Sequence, residues 1–379
     1  MRVIIAAAGT GGHINPGIAI ANKIMQEDPK SEIIFIGTPR GLENDLVPRA
    51  GFNLKKINAY GIRRSFTLQN VGRLFKTIHS VSEARKIIKE FKPDLVIGTG
   101  GYICISVCTA AKQMHVKYMM HESNVLPGVA TKLLAKRAEK IMVGFKEAKD
   151  RLPQEASVVV TGTPTKNKNL NYDKYQIEQK KIEQHFEKDL PLVLVFGGSQ
   201  GAQSINSAMV EIIKEYNKRN SNKKLNYQVA WATGPKQFEI IKNELMKVDL
   251  NIENIDRMKI VPYIYNMEEM LNIADVVVSR AGAMTITELE KIGKPAIFIP
   301  YPYAAENHQE YNARVLEKAG AAKVIVDKDL NGKTLDNIII ELTKDNKKLQ
   351  EMGSKSRQLS IDNVEDRIYA EIEEVLKND

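Results

Sequence analysis

Short runs of β-branched and other apolar residues alternate with longer stretches of helical spacing along almost the whole chain. This alternation is typical of strands and helices in parallel α/β sheets. Thirteen runs are strand candidates: 2–8, 32–37, 54–59, 94–98, 117–120, 140–143 and 157–162 in the first half, and 192–196, 227–232, 258–261, 275–279, 295–300 and 322–326 in the second. The pattern therefore predicts an α/β protein with one parallel sheet in each half and a helical end after residue 332.

The break between the two series of strands falls in segment 161–176, which is rich in Gly, Pro, Thr and Asn and reads as a linker. A chain of 379 residues, at about 150 residues per domain, holds two or three domains. We predict a first domain over residues 1–163, a second over 164–350 and a C-terminal helical segment over 351–379. Each half opens in the same way, with a strand that runs directly into a glycine-rich turn.

Composition narrows the class of protein. The chain is 43% hydrophobic and 27% charged, which excludes disordered, collagen-like and coiled-coil proteins. Two cysteines cannot form a disulfide framework, and no apolar run approaches the roughly 18 residues of a membrane span. The N-terminus also lacks the pattern of a signal peptide, so we expect a protein of the cytoplasm. Cys104 and Cys108 lie in an apolar segment and are expected to pack in the core.

The net charge of +9 is concentrated in the first half of the chain. Residues 1–160 hold 24 Lys and Arg against 13 Asp and Glu, which leaves 31 against 33 for the remainder. Segment 55–82 is basic and free of acidic residues, and it also carries apolar side chains. Such a combination suits an anionic membrane surface, but equally a helix that packs on its own sheet with a solvated basic edge. We call the following residues the basic patch: Arg63, Arg64, Phe66, Arg73, Leu74, Phe75 and Lys76.

Four glycine-rich turns follow predicted strands, at 9–12, 98–102, 197–202 and 279–288. Free backbone amides at the start of a helix can bind an anion such as phosphate. One such turn is equally explained by close packing of strand and helix. Four of them, all at the carboxyl ends of strands where open α/β sheets bind ligands, favour a binding site.

The spacing of these turns argues against two nucleotide-binding classes. The one Gly-Lys-Thr sequence, at 332–334, has Asp327 where a Walker loop requires its first glycine. The turn at 9–12 departs from G-x-G-x-x-G, and the second strand ends in Ile36-Gly37-Thr38 without an acidic residue. ATP or GTP hydrolysis and NAD chemistry are therefore both disfavoured.

Several polar side chains stand at the same strand ends. His13 follows the first turn directly, and an imidazole there could act as a general base near neutral pH or simply cap the helix. The cluster 121–124 (His-Glu-Ser-Asn) follows the fifth strand, and His308 and Gln309 follow the strand at 295–300. Glu288 could chelate two ribose hydroxyls or be an ordinary helix residue. The sequence Asp327-Lys328-Asp329 has a metal-binding form, but a polar turn is the better interpretation.

These motifs occur together in a known family. GTGGH, GTGGY, HESN followed by PG, GGSQGA, RAGAMTITE and PYPYAAENHQEYNA, in this order between residues 9 and 313, resemble the MurG family of glycosyltransferase family 28. The resemblance implies a GT-B fold, with two Rossmann-like domains whose parallel sheets face a central cleft. The first domain would bind the acceptor and face the membrane, the second would bind UDP-GlcNAc, and the C-terminal segment would cross back to the first.

The same resemblance implies the reaction: inverting transfer of GlcNAc from UDP-GlcNAc to the MurNAc 4-hydroxyl of undecaprenyl-pyrophosphoryl-MurNAc-pentapeptide (lipid I), which gives lipid II in peptidoglycan synthesis. It implies no required cofactor or metal. The protein would be peripheral, at the cytoplasmic face of the cell membrane, in contact with anionic lipid. Other cell-wall synthesis proteins could be partners, and nucleic acid would not.

Site residues follow from the matched motifs. The catalytic residue would be His13. The donor site would comprise Thr10, Gly11, Gly12, Asn124, Lys166, Ser199, Ile264, Ala283, Met284, Thr285, Ile286, Thr287, Glu288 and Gln309. The acceptor site would comprise His13, Gly100, Gly101, Tyr102, Glu122 and Asn124. Lys166 departs from the family, because it stands where an arginine is common and lacks the bidentate fork of that residue.

Two alternatives remain. Another GT-B enzyme, such as a UDP-GlcNAc 2-epimerase or a diacylglycerol glycosyltransferase, would share most of the glycine turns. A nucleic-acid-binding protein would fit the net charge, but the basic segment lacks an array of stacking aromatic residues.

Overall fold

The computed structural model describes residues 1–59, 68–165, 172–198, 201–218 and 225–377; in the helix that begins at Leu68, side chains are described from residue 79 onward. The chain forms two compact units. The first consists of Met1–Lys166 with Ile361–Asp379, and the second of Asn167–Ser360. The unit boundaries thus fall at residues 166 and 360, whereas the domain ends predicted from the sequence are residues 163 and 350.

Each unit contains one sheet whose strands are all parallel. The strands of the first unit are β1 Arg2–Ala7, β2 Glu32–Gly37, β3 Asn53–Lys56, β4 Leu95–Gly100, β5 Lys117–Glu122, β6 Lys140–Val143 and β7 Val158–Val160. Those of the second are β8 Leu192–Phe196, β9 Gln228–Ala232, β10 Met258–Val261, β11 Val276–Ser279, β12 Ala296–Phe298 and β13 Ala322–Val324. All thirteen predicted strands are present, and the predicted fold class is confirmed.

Helices connect the strands, and three α-helices follow the last of the described strands. Those of the first half are α1 Gly11–Glu27, α2 Glu43–Arg49, α3 Leu68–Phe91, α4 Ile103–Gln113 and α5 Val129–Leu134. The remaining helices are α6 Lys174–Glu183, α7 Gln203–Lys218, α8 Pro235–Met246, α9 Met267–Ile273, α10 Ala283–Ile292, α11 His308–Lys318, α12 Gly332–Thr343, α13 Asn346–Leu359 and α14 Val364–Lys377. Among the described residues, no helix is long and apolar enough to cross a membrane.

The sheet of the first unit is covered on both faces, as parallel sheets require. One face packs against α3 and α4, where Cys104 and Cys108 are fully buried in the core as predicted. The other face packs against α1 and α14. Helix α14 places a buried apolar side chain against this face at every turn, through Val364, Ile368, Ile372 and Val375. The end of the chain is therefore part of the core of the first unit.

The strand order explains why the two glycine turns of each unit follow neighbouring strands. The first sheet has the order β3-β2-β1-β4-β5-β6-β7, and the second has β10-β9-β8-β11-β12-β13. In each sheet the order reverses at one place, between β1 and β4 and between β8 and β11. Ligands of open α/β sheets bind at the carboxyl ends of the strands at such a switch point. The four glycine turns follow these four strands, two in each unit.

Candidate active site

The first glycine turn fixes the position and the tautomer of His13. Gly9 has a φ of +94°, and α1 begins two residues later at Gly11. The Nδ1 atom of His13 lies 3.1 Å from the carbonyl oxygen of Ala8. A carbonyl oxygen only accepts hydrogen bonds, so Nδ1 must carry the hydrogen. In the neutral ring the lone pair then lies on Nε2, which is the nitrogen that can accept a proton from a substrate.

The second glycine turn lies against the His13 ring. A Cβ atom added to Gly100 would lie 2.4 Å from Cδ2 of His13, and the φ of Gly100 is +121°, so only glycine fits this position. A Cβ on Gly101 would lie 2.7 Å from the Ala8 oxygen. The buried Thr99 hydroxyl donates to the carbonyl oxygen of His13 at 2.8 Å. The structure thus brings His13, Gly100 and Gly101 together, with Tyr102 as the residue before α4.

Glu122 and Asn124 form the next part of this edge. The Glu122 carboxylate accepts four hydrogen bonds, from the backbone and side-chain nitrogens of Asn124 at 3.1 Å each, from the Gly128 amide at 2.9 Å and from the Thr131 hydroxyl at 2.8 Å. With both oxygens engaged and only 6% of the residue exposed, Glu122 is built to hold the loop that follows β5 and to orient the Asn124 side chain.

His121 is a structural residue in this geometry. Its Nε2 donates to the carbonyl oxygen of Gly162 at 3.0 Å, and its Nδ1 lies 3.4 Å from the Ser123 hydroxyl. Burial lowers the pKa of His121, since no solvent is left to stabilise a charged ring. The histidine therefore ties β5 to the chain that leaves the first unit.

In the second unit, Gly201 lies between β8 and α7 and packs closely against the residues that follow β9. A Cβ on Gly201 would lie 2.1 Å from the carbonyl oxygen of Thr233, so this glycine is required for packing. Asn206 supports the same place, because its amide donates to the Thr233 oxygen at 2.8 Å and its own oxygen accepts from the Trp231 indole at 3.0 Å.

Helix α10 carries most of the predicted donor residues. Ala283 and Thr287 are buried and Ile286 is fully buried, so the side chain of Ile286 belongs to the core. Met284 and Thr285 are partly exposed at the start of the helix. This run therefore offers a ligand its backbone and its partly exposed residues.

Glu288 lies on the same helix and is distinctive. Burial raises the pKa of its carboxyl group to about 7, with Glu268 adding to the effect and Lys291 opposing it. Among the described residues, no hydrogen bond reaches the Glu288 carboxylate. A carboxylate in this state lacks the hydrogen bonds that would stabilise its charge, and a pair of ligand hydroxyls would provide them.

Arg280 is a residue that the sequence analysis missed. Its guanidinium donates to the carbonyl oxygens of Ile299 and Pro300 at 3.1 Å each, to the Ser204 hydroxyl at 2.9 Å and to Asp327 at 2.5 Å. It thereby ties together the ends of β11 and β12 and the start of α7. Asp327 belongs to the Asp327-Lys328-Asp329 sequence and is engaged in this ion pair. In the part of the chain that the structure describes, no group of three or more His, Cys, Asp or Glu side chains could hold a metal ion.

Gln309 is oriented by the loop after β12. The Tyr301 amide donates to its Oε1 at 3.0 Å, so the amide nitrogen is the end left for ligand hydroxyls. Two consecutive residues before it, Glu306 and Asn307, have φ values of +54° and +58°. Left-handed non-glycine residues store strain and tend to occur at functional sites. His308 donates from Nδ1 to the Ala305 oxygen at 2.8 Å, as a turn residue does.

Ile264, the residue predicted to lie beside the uracil, follows β10 and is buried. Its neighbours Tyr263 and Tyr265 are 42% and 93% exposed, and their ring centroids are 5.0 Å apart. Ile264 is therefore flanked in the sequence by two exposed tyrosines, and the ring of one of them is almost fully open to solvent.

Several of the predicted residues have side chains that the structure does not describe. Lys166 and Ser199 lie outside the described residues, as do Arg63, Arg64 and Phe66 of the basic patch. The other members of the patch lie on α3, in the part whose side chains are not described: Arg73, Leu74, Phe75 and Lys76. Their roles stay predictions.

The chain is similar to known proteins over almost its whole length. The glycosyltransferase family 28 N-terminal domain matches residues 3–143, and the C-terminal domain of the same family matches residues 192–368. The chain belongs to glycosyltransferase family 28. A protein of Acetivibrio thermocellus, named UDP-N-acetylglucosamine–N-acetylmuramyl-(pentapeptide) pyrophosphoryl-undecaprenol N-acetylglucosamine transferase, is 42% identical over 378 residues, which cover 100% of this chain and 99% of the relative. The resemblance to the MurG family is thereby confirmed.

Solved structures of similar fold agree with this family assignment. The crystal structure of Acinetobacter baumannii MurG is 25% identical, covers 98% of this chain and 99% of its own, and superposes with a TM-score of 0.78. A putative UDP-N-acetylglucosamine 2-epimerase from Listeria monocytogenes covers 99% of this chain and 96% of its own at 14% identity and a TM-score of 0.67. The latter likeness shows the fold alone. The two parallel α/β units are those of the GT-B fold, as predicted.

Proposed function

We propose that this protein transfers GlcNAc from UDP-GlcNAc to the MurNAc 4-hydroxyl of lipid I and so makes lipid II, with inversion at the anomeric carbon. The observation that carries the proposal is the match, over the full length of the chain, to a relative named for this transfer. The arrangement of His13 supports it, because the reaction needs a base for the acceptor hydroxyl and Nε2 of His13 is available as one.

The proposed transfer gives each of these side chains a role. Nε2 of His13 takes the proton of the 4-hydroxyl as the oxygen attacks the anomeric carbon of GlcNAc. The bond from that carbon to the UDP oxygen breaks, and the electron pair leaves with UDP. Its ribose hydroxyls are bound by Glu288 and its uracil lies beside Ile264. The sugar hydroxyls receive hydrogen bonds from the Gln309 amide.

The departing diphosphate is stabilised by backbone amides. The starts of α7 and α10 present N–H groups and the positive ends of helix dipoles. We propose that these groups replace a metal ion, so that the reaction requires no cofactor. Retention of full activity in excess EDTA is the expected result.

A transfer assay tests the function. Purified protein is incubated with UDP-GlcNAc and a lipid I analogue, and UDP and the disaccharide product are measured. We expect both products in equal amounts and no release of UDP when the analogue is left out. Formation of UDP-ManNAc without the analogue would instead identify an epimerase, and product on diacylglycerol would identify a different transferase.

We also propose that the basic patch holds the protein on the anionic, cytoplasmic face of the cell membrane, where a lipid-linked acceptor lies. The support is the sequence of segment 55–82, which combines basic and apolar residues without an acidic one. At about 1 kcal/mol per basic residue near such a surface, four charges contribute a factor of about 10² to 10³ in affinity at low salt.

Binding to phosphatidylglycerol-containing vesicles checks this prediction. We expect about 100-fold weaker binding when four basic residues of the patch are changed to Gln: Arg63, Arg64, Arg73 and Lys76. A matched control removes the same charge at four exposed positions elsewhere in the first unit: Lys30, Lys86, Lys89 and Lys112. Equal losses in the two variants would assign binding to net charge and end the proposal.

A further inference from the structure

Glu43, the first residue of α2, has a buried carboxylate. The residue is 0% exposed. Its Oε1 accepts from the Thr38 amide at 2.8 Å and from the Thr38 hydroxyl at 2.7 Å, and its Oε2 accepts from the amide of Gly9 at 3.0 Å. No described residue forms an ion pair with it. A buried carboxylate without a counter-ion is costly, so its retention beneath the first glycine turn calls for a reason.

The reason lies in the peptide group that Glu43 contacts. The N–H of Gly9 and the C=O of Ala8 are the two ends of the same peptide bond. Glu43 accepts from the N–H end, and Nδ1 of His13 donates to the C=O end at 3.1 Å. The carboxylate, the peptide group and the imidazole therefore form one continuous chain of hydrogen bonds.

We propose that Glu43 is a positioning residue for His13 and acts through the Ala8–Gly9 peptide group; the inference rests on the proposed function, in which His13 is the base. Catalytic histidines elsewhere are oriented by a carboxylate in direct contact with Nδ1. Here a peptide group stands between the two. The role of Glu43 is electrostatic and geometric, and no proton passes along the chain.

Polarisation carries the effect from one end to the other. A carboxylate that accepts from a peptide N–H increases the negative charge on the oxygen of the same peptide, and hydrogen bonds in such chains strengthen one another by roughly 10–30%. A stronger acceptor at Ala8 favours the tautomer with hydrogen on Nδ1. It also stabilises the imidazolium ring that forms when Nε2 takes the proton of the substrate.

The surroundings of Glu43 are built to keep the carboxylate ionised and in place. Burial alone would raise the pKa of Glu43, but the hydrogen bonds from Gly9 and Thr38 outweigh it and hold the pKa below its ordinary value. A Cβ on Gly41 would lie 1.9 Å from Oε2 of Glu43, and one on Gly37 would lie 2.6 Å from its Cγ. The two glycines thus leave the space that the side chain fills.

The variant Glu43→Gln tests the proposal. It keeps the size of the side chain but removes the charge, and its amide cannot accept from both Gly9 and Thr38 as the carboxylate does. We expect kcat for transfer to fall about 10- to 100-fold, with KM for UDP-GlcNAc changed less than about threefold. The ¹⁵N shifts of the His13 ring should show a smaller fraction of the Nδ1–H tautomer at a pH where the ring is neutral.

Thr38→Val is the matched control. It removes a hydrogen bond to the same carboxylate at an equally buried site but leaves the bond between Glu43 and Gly9. We expect it to keep the wild-type tautomer and most of kcat. An unchanged tautomer in Glu43→Gln, or the same change in both variants, would overturn the proposal.

The ¹⁵N measurement also works without activity. If the wild-type protein fails to transfer GlcNAc, the proposed function fails, while the tautomer still decides whether Glu43 controls the ring. If Glu43→Gln does not fold, the wild-type spectrum remains a test, because a ring that is mainly Nε2–H would contradict the chain of hydrogen bonds.

Discussion

His13→Ala is expected to lower kcat for GlcNAc transfer by about 10² to 10⁴-fold, the usual contribution of a general base. The loss follows from the position of Nε2, which the Ala8 carbonyl and the Gly100 backbone fix at the carboxyl edge of the first sheet. KM for UDP-GlcNAc should change little, because the predicted contacts to uracil and ribose lie in the second unit. Steady-state kinetics with a lipid I analogue measure both constants.

The fold should survive this substitution. His13 is partly exposed in the first turn of α1, and alanine favours the helix. A matched control is His185→Asn, which replaces an exposed histidine in the left-handed region by a residue that tolerates that conformation. Wild-type kcat in the control and a normal circular dichroism spectrum in both variants are expected. Full activity of His13→Ala would remove His13 from the mechanism.

The strands and the glycine turns could be predicted from the sequence because their signals are local. A buried parallel strand such as β1 reads as a continuous apolar run, and the turn after it is marked by glycines within a few residues. The resemblance to the MurG family supplied the predicted site residues, which spacing alone left open between binding and packing, and their roles stay predictions.

The residues that support the site could not be found in this way. Glu43 acts on Gly9 from 34 residues away, and Arg280 binds Asp327 from 47 residues away. Their roles depend on which strands are neighbours, and that order appears only in the folded sheet. For the same reason, Glu122 is an evident member of a polar cluster in the sequence, whereas its four hydrogen bonds, and hence its structural task, are not.

Glu288→Gln is expected to weaken the binding of the donor UDP-GlcNAc and to stabilise the free protein against unfolding. An ionised carboxylate can accept from both ribose hydroxyls, and a hydrogen bond to a charged group contributes about 1.5–3 kcal/mol. We therefore expect KM for UDP-GlcNAc to rise about 10- to 100-fold. Because the pKa of Glu288 is raised to about 7, wild-type KM should fall as the pH rises from 6 to 8, and the variant should lack this part of the pH dependence.

The effect on stability has the opposite sign. The pKa of Glu288 is raised from 4.5 in the unfolded chain to about 7 in the folded one, so folding favours the protonated form. The contribution of this pKa difference to the free energy of unfolding is fully present below pH 4.5 and is lost as the pH rises through about 7. The full shift corresponds to about 3 kcal/mol at most. At pH 8, where the wild-type carboxyl group is charged in a poorly solvated position, Glu288→Gln should raise the thermal transition of the second unit by about 5 °C.

Two further variants separate charge from size. Glu288→Asp keeps the charge on a shorter side chain and should retain the pH dependence of KM, although its KM rises. Glu239→Gln removes an exposed carboxylate of the same unit and should change neither KM nor the thermal transition by a measurable amount. If the Glu288 carboxylate is poorly stabilised in the free protein and gains hydrogen bonds from ribose, Glu288→Gln should show both a higher KM for UDP-GlcNAc and a higher thermal transition. An unchanged KM combined with higher stability would show that the buried charge serves something other than the donor.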